Sequence, residues 1–477
     1  MHNHFLTYEN ESFFDELVMP DGTARLGNEF IYHHVNKLSP EQLVLKKKTA
    51  EASMINMGIT FQVYSEEGGT ERIIPMDIVP RVIPSNEWNL LEKGLKQRIY
   101  ALNQFLLDIY GPQRILKDKV IPSEVIFSSK GYLKNCAGIR PPKDIYIHIT
   151  GTDLIRDHQG NYLVLEDNLR CPSGVSYMLA NRDISKNLFG SVLNTQGIRP
   201  IGEYPAKLFE VLRYISGKHE PTIAVLTPGI YNSAYYEHSF LSQQMGIELV
   251  DYRDLVVHDG YVKMRTTKGF KVVDVLYRRL DDVFLDPLAF NPDSLIGIPG
   301  IFDVYKNNRI GLANALGTGV ADDKVVYAYV PEIIRYYLGE EAILSNVETF
   351  LCENPVHLQH VLQNIGDLVV KEANEAGGYG MLIGPKSTLA QQEDFKEKIK
   401  SNPRNFIAQP TISLSTSPCV IEDSLEPRHV DLRPYILYGE EIYVAPGGLT
   451  RVALKKGSLV VNSSQGGGSK DTWVLND

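Results

Sequence analysis

Cysteine is scarce in this chain: Cys136, Cys171, Cys352 and Cys419 are the only four in 477 residues, and no two form a CxxC pair. That spacing excludes a zinc ribbon and a disulfide framework, and isolated thiols suit a reducing compartment. Long apolar runs are missing too. None reaches the ~18 residues that span a bilayer, and the opening MHNHFLTYENESFFDELV has no basic n-region and no apolar h-region. A cytoplasmic protein with no membrane partner is expected. Nor is there excess positive charge. The 48 Lys and Arg face 58 Asp and Glu, a net charge of -10, which excludes a broad basic surface for nucleic acid and leaves room for a local cationic cleft. A P-loop, a dinucleotide GxGxxG after a strand and HExxH are all absent. The histidines, among them His148, His158, His357, His360 and His429, form no triad pattern.

What is present is ordinary globular composition, 43% apolar and 22% charged, in a chain long enough for two or three packed units. Residues 1–140 read as mostly helical. Trp88 to Tyr110 places apolar residues at three- and four-residue spacing, and Gly111-Pro112 stops that helix. At DIYIHIT the period changes to alternation, as in a half-buried strand. Residues 221–257 read strand, glycine loop, helix, strand, a βαβ unit closed by Gly246. A further strand follows at 272–279, 300–345 look helical, and strands return from Leu368. The class is α+β (mixed α/β), with antiparallel sheets beside one small parallel sheet.

The most informative stretch is Asp153 to Asn168. TDLIRD and YLVLEDN flank His158-Gln159-Gly160-Asn161 and read as a hairpin. A Gln159-Gly160 loop sets Asp153 opposite Glu166; a Gly160-Asn161 loop sets it opposite Asn168. Either even-numbered loop puts all three side chains on one face, whereas an odd loop breaks the alignment. Opposed carboxylates about 5 Å apart are destabilising, so the face asks for a hard cation, Mg2+ or Mn2+, with remaining ligands from water and phosphates. The alternative is a solvent-facing hairpin with hydrated acids.

A second constellation is LVVKEANEAGGYGMLIGP. A strand ends at Lys371, and Gly377, Gly378 and Gly380 follow before the chain returns as a strand. Such glycines let backbone N–H groups cradle phosphate, and Lys371 adds a point charge; a plain hairpin with a flexible tip reads equally from the glycines. The run NSSQGGGSKDTW at 462–473 reads either as a phosphate or substrate clamp or as a mobile C-terminal segment.

Beyond these features, LVLEDNLRCPSGVSYMLANR, AVLTPGIYNSAYYEHSFLSQQMG, DVLYRRLDDVFLDPLAFNPDSL, GTGVADDKVVYAYVPEIIRYYLGEE and the stretch from HVDLRPY to DTWVL resemble the circularly permuted ATP-grasp proteins, a family related to glutathionylspermidine synthase. The resemblance covers about residues 140–477. It implies an ATP-grasp fold, and with the mostly helical region read above (1–140) the chain divides into four parts, the others being an ATP-grasp part with the acidic hairpin (141–215), a pre-ATP-grasp-like α/β domain (216–300), and an ATP-grasp part with the phosphate lysines, glycine flap and hinge (301–477). Asp153, Glu166 and Asn168 then look like magnesium ligands, and Lys324 and Lys371 like phosphate lysines. Gly377, Gly378 and Gly380 match the flap, and Gln409 stands where the adenine-contacting hinge strand begins. Arg433 resembles an arginine that meets the transferred phosphate, with Arg451 a second candidate. One departure stands out. In the glutathionylspermidine synthase branch an arginine closely precedes the metal aspartate, and here Gly151 and Thr152 do.

The expected activity is ATP- and Mg2+-dependent ligation of a small-molecule or peptide carboxylate to an amine through an acyl phosphate. Arg170, Ser173, Asn181, Arg182, Arg278 and Arg279 are the candidate substrate contacts, since arginine suits bidentate carboxylate recognition; ordinary ion pairs are the competing reading. The alternatives are phosphoryl transfer without ligation and a non-catalytic ATP-binding partner protein.

Overall fold

The computed structural model describes residues 4–10, 13–65, 68–373, 380–459, 461 and 467–477. Three β-bodies organise them. The largest is a ten-stranded sheet. Its main path runs Ser345–Asn346, Tyr162–Asn168, Ile149–Arg156, Ser424–Arg433, Leu449–Val452, Gly468–Val474 and Met76–Ile83. The second is a parallel sheet in the order Gly311–Ala313, Val275–Arg278, Ile223–Leu226, Glu248–Val250. Its two right-hand strands and the helix Tyr235–Met245 are the βαβ unit, ended by Gly246 at φ +65. The third is an antiparallel sheet of Phe350–Leu351, Phe406–Pro410, Leu368–Glu372 and Met381–Ile383. It carries its own small core, built on Val361, Leu368, Val370, Ile399, Phe406 and Ala408, and so forms a lobe of its own.

The long N-terminal helix spans Ser85–Ile109 and buries Trp88, Leu91, Leu95, Leu102, Phe105, Leu106 and Ile109. Each such side chain contributes about 1.5–3 kcal/mol by leaving water. The same helix carries Arg98 and Asn103 on its buried face, and both reach the acidic hairpin's neighbourhood. No helix among the described residues is long and apolar enough to cross a membrane.

Two readings of the sequence change here. The first 140 residues are helical only in part. Thr60–Ser65 and Gly68–Ile73 pair antiparallel, and Met76–Ile83 runs parallel to the last strand of the large sheet. Pro80 hides that strand from a pattern reading, because proline lacks the ladder N–H. The ladder accommodates it: register slips between Lys470 and Thr472, opposite the segment from Asp77 to Arg81. The glycine-rich C-terminal run is likewise no mobile tail where it is described. Gly468–Val474 is buried throughout, between Leu449–Val452 and Met76–Ile83. Residues 462–466 lie outside the described residues, as do Gly377 and Gly378 of the glycine loop.

Candidate functional site

The acidic hairpin has an odd-numbered loop after all. Asp157 N–H donates to Asn161 O at 3.0 Å, enclosing His158, Gln159 and Gly160, with Gly160 at φ +88. Near the loop, Arg156 pairs with Tyr162 and Leu154 with Val164. Leu165 is then extra, and this one-residue bulge shifts the ladder so that Asp153 faces Glu166 and Gly151 faces Asn168. Loop and bulge offset one another, and Asp153, Glu166 and Asn168 end on one face. Thr152 and Asp167 occupy the other, where Asp167 takes three hydrogen bonds from Arg98 at 2.7–2.9 Å.

Neighbouring strands bring cations to Asp153. Asp431 and Arg433 lie two apart on Ser424–Arg433, and Arg451 sits opposite Asp431. Arg433 clasps Asp153 bidentately, Nε to Oδ1 at 2.5 Å and Nη2 to Oδ2 at 2.7 Å. Arg451 Nη2 reaches the same Oδ2 at 2.7 Å and pairs with Asp431 as well. Burial pushes the Asp153 carboxyl up, and the two guanidinium groups more than reverse that, holding it well below the carboxylate range. Glu166 has the opposite balance. Desolvation and then the Asp153 charge raise its carboxyl above the ordinary value, against Lys324, Lys371 and Arg433. An additional cation at Glu166 would relieve that pressure.

Lys324 and Lys371 come from the far side of the site. Lys371 Nζ donates to Gln409 Oε1 at 2.8 Å across two paired strands of the small lobe, and Gln409 Nε2 donates to Thr349 at 3.0 Å. Desolvation pulls the Lys371 ammonium down to about 8, with Glu166 acting in the other direction. Lys324 opens a short helix next to the lobe, its N–H bonded to Ala373 O at 3.1 Å. Gly380, at φ +64, makes the turn back into the next strand. Acids near residue 160 and lysines from beyond 320 therefore share one electrostatic site.

Comparison with known proteins identifies the family and the fold. Residues 80–453 match the family described as circularly permuted ATP-grasp type 2. The chain belongs to that family. A relative from Synechocystis sp. (strain ATCC 27184 / PCC 6803 / Kazusa), an uncharacterised protein, is 57% identical over 472 residues, 98% of each chain. A protein of Frankia casuarinae named putative glutamate–cysteine ligase 2-2 is 40% identical over 465 residues, 97% of this chain and 53% of that one. Among solved structures, an apo glutathione synthetase-like effector from Globodera pallida superposes with a TM-score of 0.60 at 11% identity, covering 92% of this chain and 98% of that one. That likeness concerns the fold, which is the circularly permuted ATP-grasp fold.

Within this ATP-grasp frame an arginine comes to Asp153 from another strand. A Cβ added to Gly151 would stand 3.2 Å from both Cγ and Cδ of Arg433. Gly151, two residues ahead of Asp153, thus leaves room for Arg433 to cross it and reach that carboxylate. As for metal, no three His, Cys, Asp or Glu side chains gather into a metal-holding group among the described residues. The donor set that could hold one is two carboxylates and an amide. The Asn168 amide is turned with its Nδ2 donor buried and without a hydrogen-bond partner, and Oδ1 is the atom it could offer a cation. All three side chains offer oxygen, as a hard cation requires, and the set fits Mg2+ or Mn2+ with Asp153 shared by the arginines.

The remaining candidates scatter. Ser173 lends its carbonyl to Arg433 at 3.4 Å and to Tyr435 at 3.1 Å, beside the site. Arg170, partly exposed, pairs with Asp322 at 2.7 Å and Asp281 at 3.6 Å on the wall of a cavity of about 180 Å³. Asn181 is buried near Ser469. Arg182 binds Asp471 and the carbonyls of Arg199 and Thr472. Arg278 is engaged by the carbonyls of Leu280, Asn314 and Ala315 and by Asp282, and Arg279 by Pro172, Tyr277 and Glu237. In this structure those three buried arginines tie segments together. Sequence reasoning missed Asp431, although its two-residue offset from Arg433 was a usable signal. It also missed Glu237, which accepts from the N–H groups of Gly174 and Ser176 at the start of the helix Val175–Thr195; no local pattern marks it.

Proposed function

We propose that this ATP-grasp protein is an ATP- and Mg2+-dependent ligase joining a carboxylate to an amine. The carrying observation is that Glu166 stands opposite Asp153 with Arg433 Nη2 4.0 Å from its Oε1, on the side where Lys324 and Lys371 also act on its carboxyl, an arrangement suited to one nucleoside triphosphate. The ligase name of the Frankia relative and the family membership support the reading. Asp153, Glu166 and Asn168 would hold Mg2+, which when bound supplies charge neutralisation for the β- and γ-phosphates. Lys371, kept in place by Gln409, and Lys324 draw the phosphates to the small lobe; Gly377, Gly378 and Gly380 provide the backbone flap, and the strand carrying Gln409 borders the adenine side. Arg433 and Arg451 face the transferred phosphoryl group. A substrate carboxylate oxygen attacks the γ-phosphorus as the bond to ADP breaks, giving an acyl phosphate. An amine nitrogen then attacks the acyl carbon, the C–O bond to phosphate breaks, and the amine loses a proton as the amide forms. Catalysis of this kind is positioning and electrostatic stabilisation. Of the substrate candidates, Arg170, beside open space, and Ser173, beside the phosphoryl face, are proposed as the substrate side. The setting is cytoplasmic.

The test is a screen of amino acids, peptides and polyamines for substrate-stimulated ADP release, with mass analysis of the product. An amide is expected. Glu166→Gln is expected to stop turnover with the fold intact; full activity in that variant, or a phosphorylated product with no amide, would overturn the proposal.

A further inference from the structure

Asn314 stands at the carboxyl end of the strand Gly311–Ala313, in the parallel sheet. It is 1% exposed, and its side-chain amide is fully used. Oδ1 accepts from the N–H groups of His148 and Ile149, both at 2.7 Å. Nδ2 donates to the carbonyls of Ile149 at 2.7 Å, Leu169 at 2.8 Å and Arg170 at 3.1 Å. These five contacts fall on the two open ends of the acidic hairpin. The last ladder pair at that end is Gly151 with Asn168, so one amide clips the strands together just beyond it. With Ile149 it exchanges both a donor and an acceptor, as a strand neighbour would. Its backbone is held in turn, since Arg278 Nε donates to Asn314 O at 2.7 Å.

We infer that Asn314 is a positioning residue for the proposed metal and phosphate site, fixing Asp153, Glu166 and Asn168 relative to one another by pinning both ends of the hairpin to the parallel sheet. The inference rests on the reading of that hairpin as the Mg2+ holder. Ligand-orienting partners of this kind typically set metal affinity by about 10–100-fold. Nothing in the spacing of the sequence points to Asn314, which lies 144 or more residues from every contact it makes to the hairpin.

The experiment measures ADP affinity by calorimetry with excess Mg2+ and again in EDTA, for the wild type, Asn314→Asp and Asn314→Ser. The aspartate keeps an acceptor for His148 and Ile149 but sets a carboxylate against three carbonyls; the serine keeps one short hydroxyl and is the milder change. The expected result is that the magnesium-dependent gain in affinity falls by about tenfold or more in both variants, while affinity in EDTA, set largely by the lysine lobe, stays within about twofold of wild type. An undiminished gain in either folded variant overturns the inference and leaves the ATP-grasp reading of the site standing. Equal losses with and without Mg2+ would mark Asn314 as merely structural and overturn it too. A wild type that binds ADP in neither condition would sink the site reading itself, and this inference with it.

Discussion

Arg98 and Asp167 hold the acidic hairpin from behind, and their removal gives the sharpest stability prediction. Their side chains are 1% and 0% exposed. Arg98 Nε donates to both Asp167 oxygens at 2.9 Å, Nη2 donates to Oδ2 at 2.7 Å, and Nη1 donates to Asn346 at 2.8 Å. Arg98→Met keeps most of the stem's volume and leaves Asp167 as a buried charge whose remaining side-chain donor is Thr152 Oγ1 at 3.3 Å. Breaking a buried pair from one side costs about 3–5 kcal/mol, a large share of a native stability of roughly 5–15 kcal/mol. Replacing both partners with apolar residues of similar volume is often nearly neutral, so Arg98→Met with Asp167→Leu should recover most of the loss. Urea unfolding followed by tryptophan fluorescence reads this well, because Trp88 is buried in the same helix as Arg98. A single variant within about 1 kcal/mol of wild type, or a double variant no better than Arg98→Met, would refute the claim that this pair pins the hairpin's rear face.

Two further expectations concern the site. Gly151→Ala places a Cβ 3.2 Å from the Arg433 stem, so it should slow substrate-stimulated ADP release by about tenfold or more while thermal melting stays close to wild type; unchanged turnover would separate Arg433 from catalysis. Lys371 sits at about 8 instead of the ordinary 10.5, so nucleotide affinity should fall as pH rises from about 7 to 9, and Lys371→Arg should flatten that slope in calorimetry. Folding stability has the opposite sign over the same lysine: the unfolded chain binds its proton more tightly, so stability rises with pH between about 8 and 10.5.

The parts of this site that sequence exposed are those written in short-range patterns. Alternation placed Asp153, Glu166 and Asn168 on one face, and the structure has them there. Yet the route differs, because a three-residue loop and the extra Leu165 together replace the even loop that pattern alone required. The parallel strands around Tyr235–Met245 were legible for the same reason: strand, turn and helix periods change within a few residues. The rest depended on partners far away in the chain. Arg98 meets Asp167 across 69 residues, and Arg433 meets Asp153 across 280. Periodicity says that such a side chain faces inward; it cannot say what waits there. Three buried arginines read as substrate contacts illustrate the ambiguity, since a guanidinium that grips carbonyls and one that grips a ligand look alike in sequence.

The large sheet also shows how a permuted chain order is knitted into one fold. The family match spans residues 80–453, but Gly468–Val474 lies past its end and sits between Leu449–Val452 and Met76–Ile83. Arg451, which meets Asp153, is on the strand directly beside it, with Ser469 as its partner. On its other side the same strand pairs Lys470 with Asp77, both in the ladder and by a buried ion pair. Strands near both ends of the chain are therefore within two ladders of Arg451, which meets Asp153. The helical and stranded region before residue 140 is then part of the ATP-grasp body, because it supplies the strand Met76–Ile83 at one side of the sheet and Arg98 behind the hairpin at the other. A truncation at residue 84 would uncover the buried Gly468–Val474 edge and take away the acid that balances Lys470, so the region should be inseparable from the site it flanks.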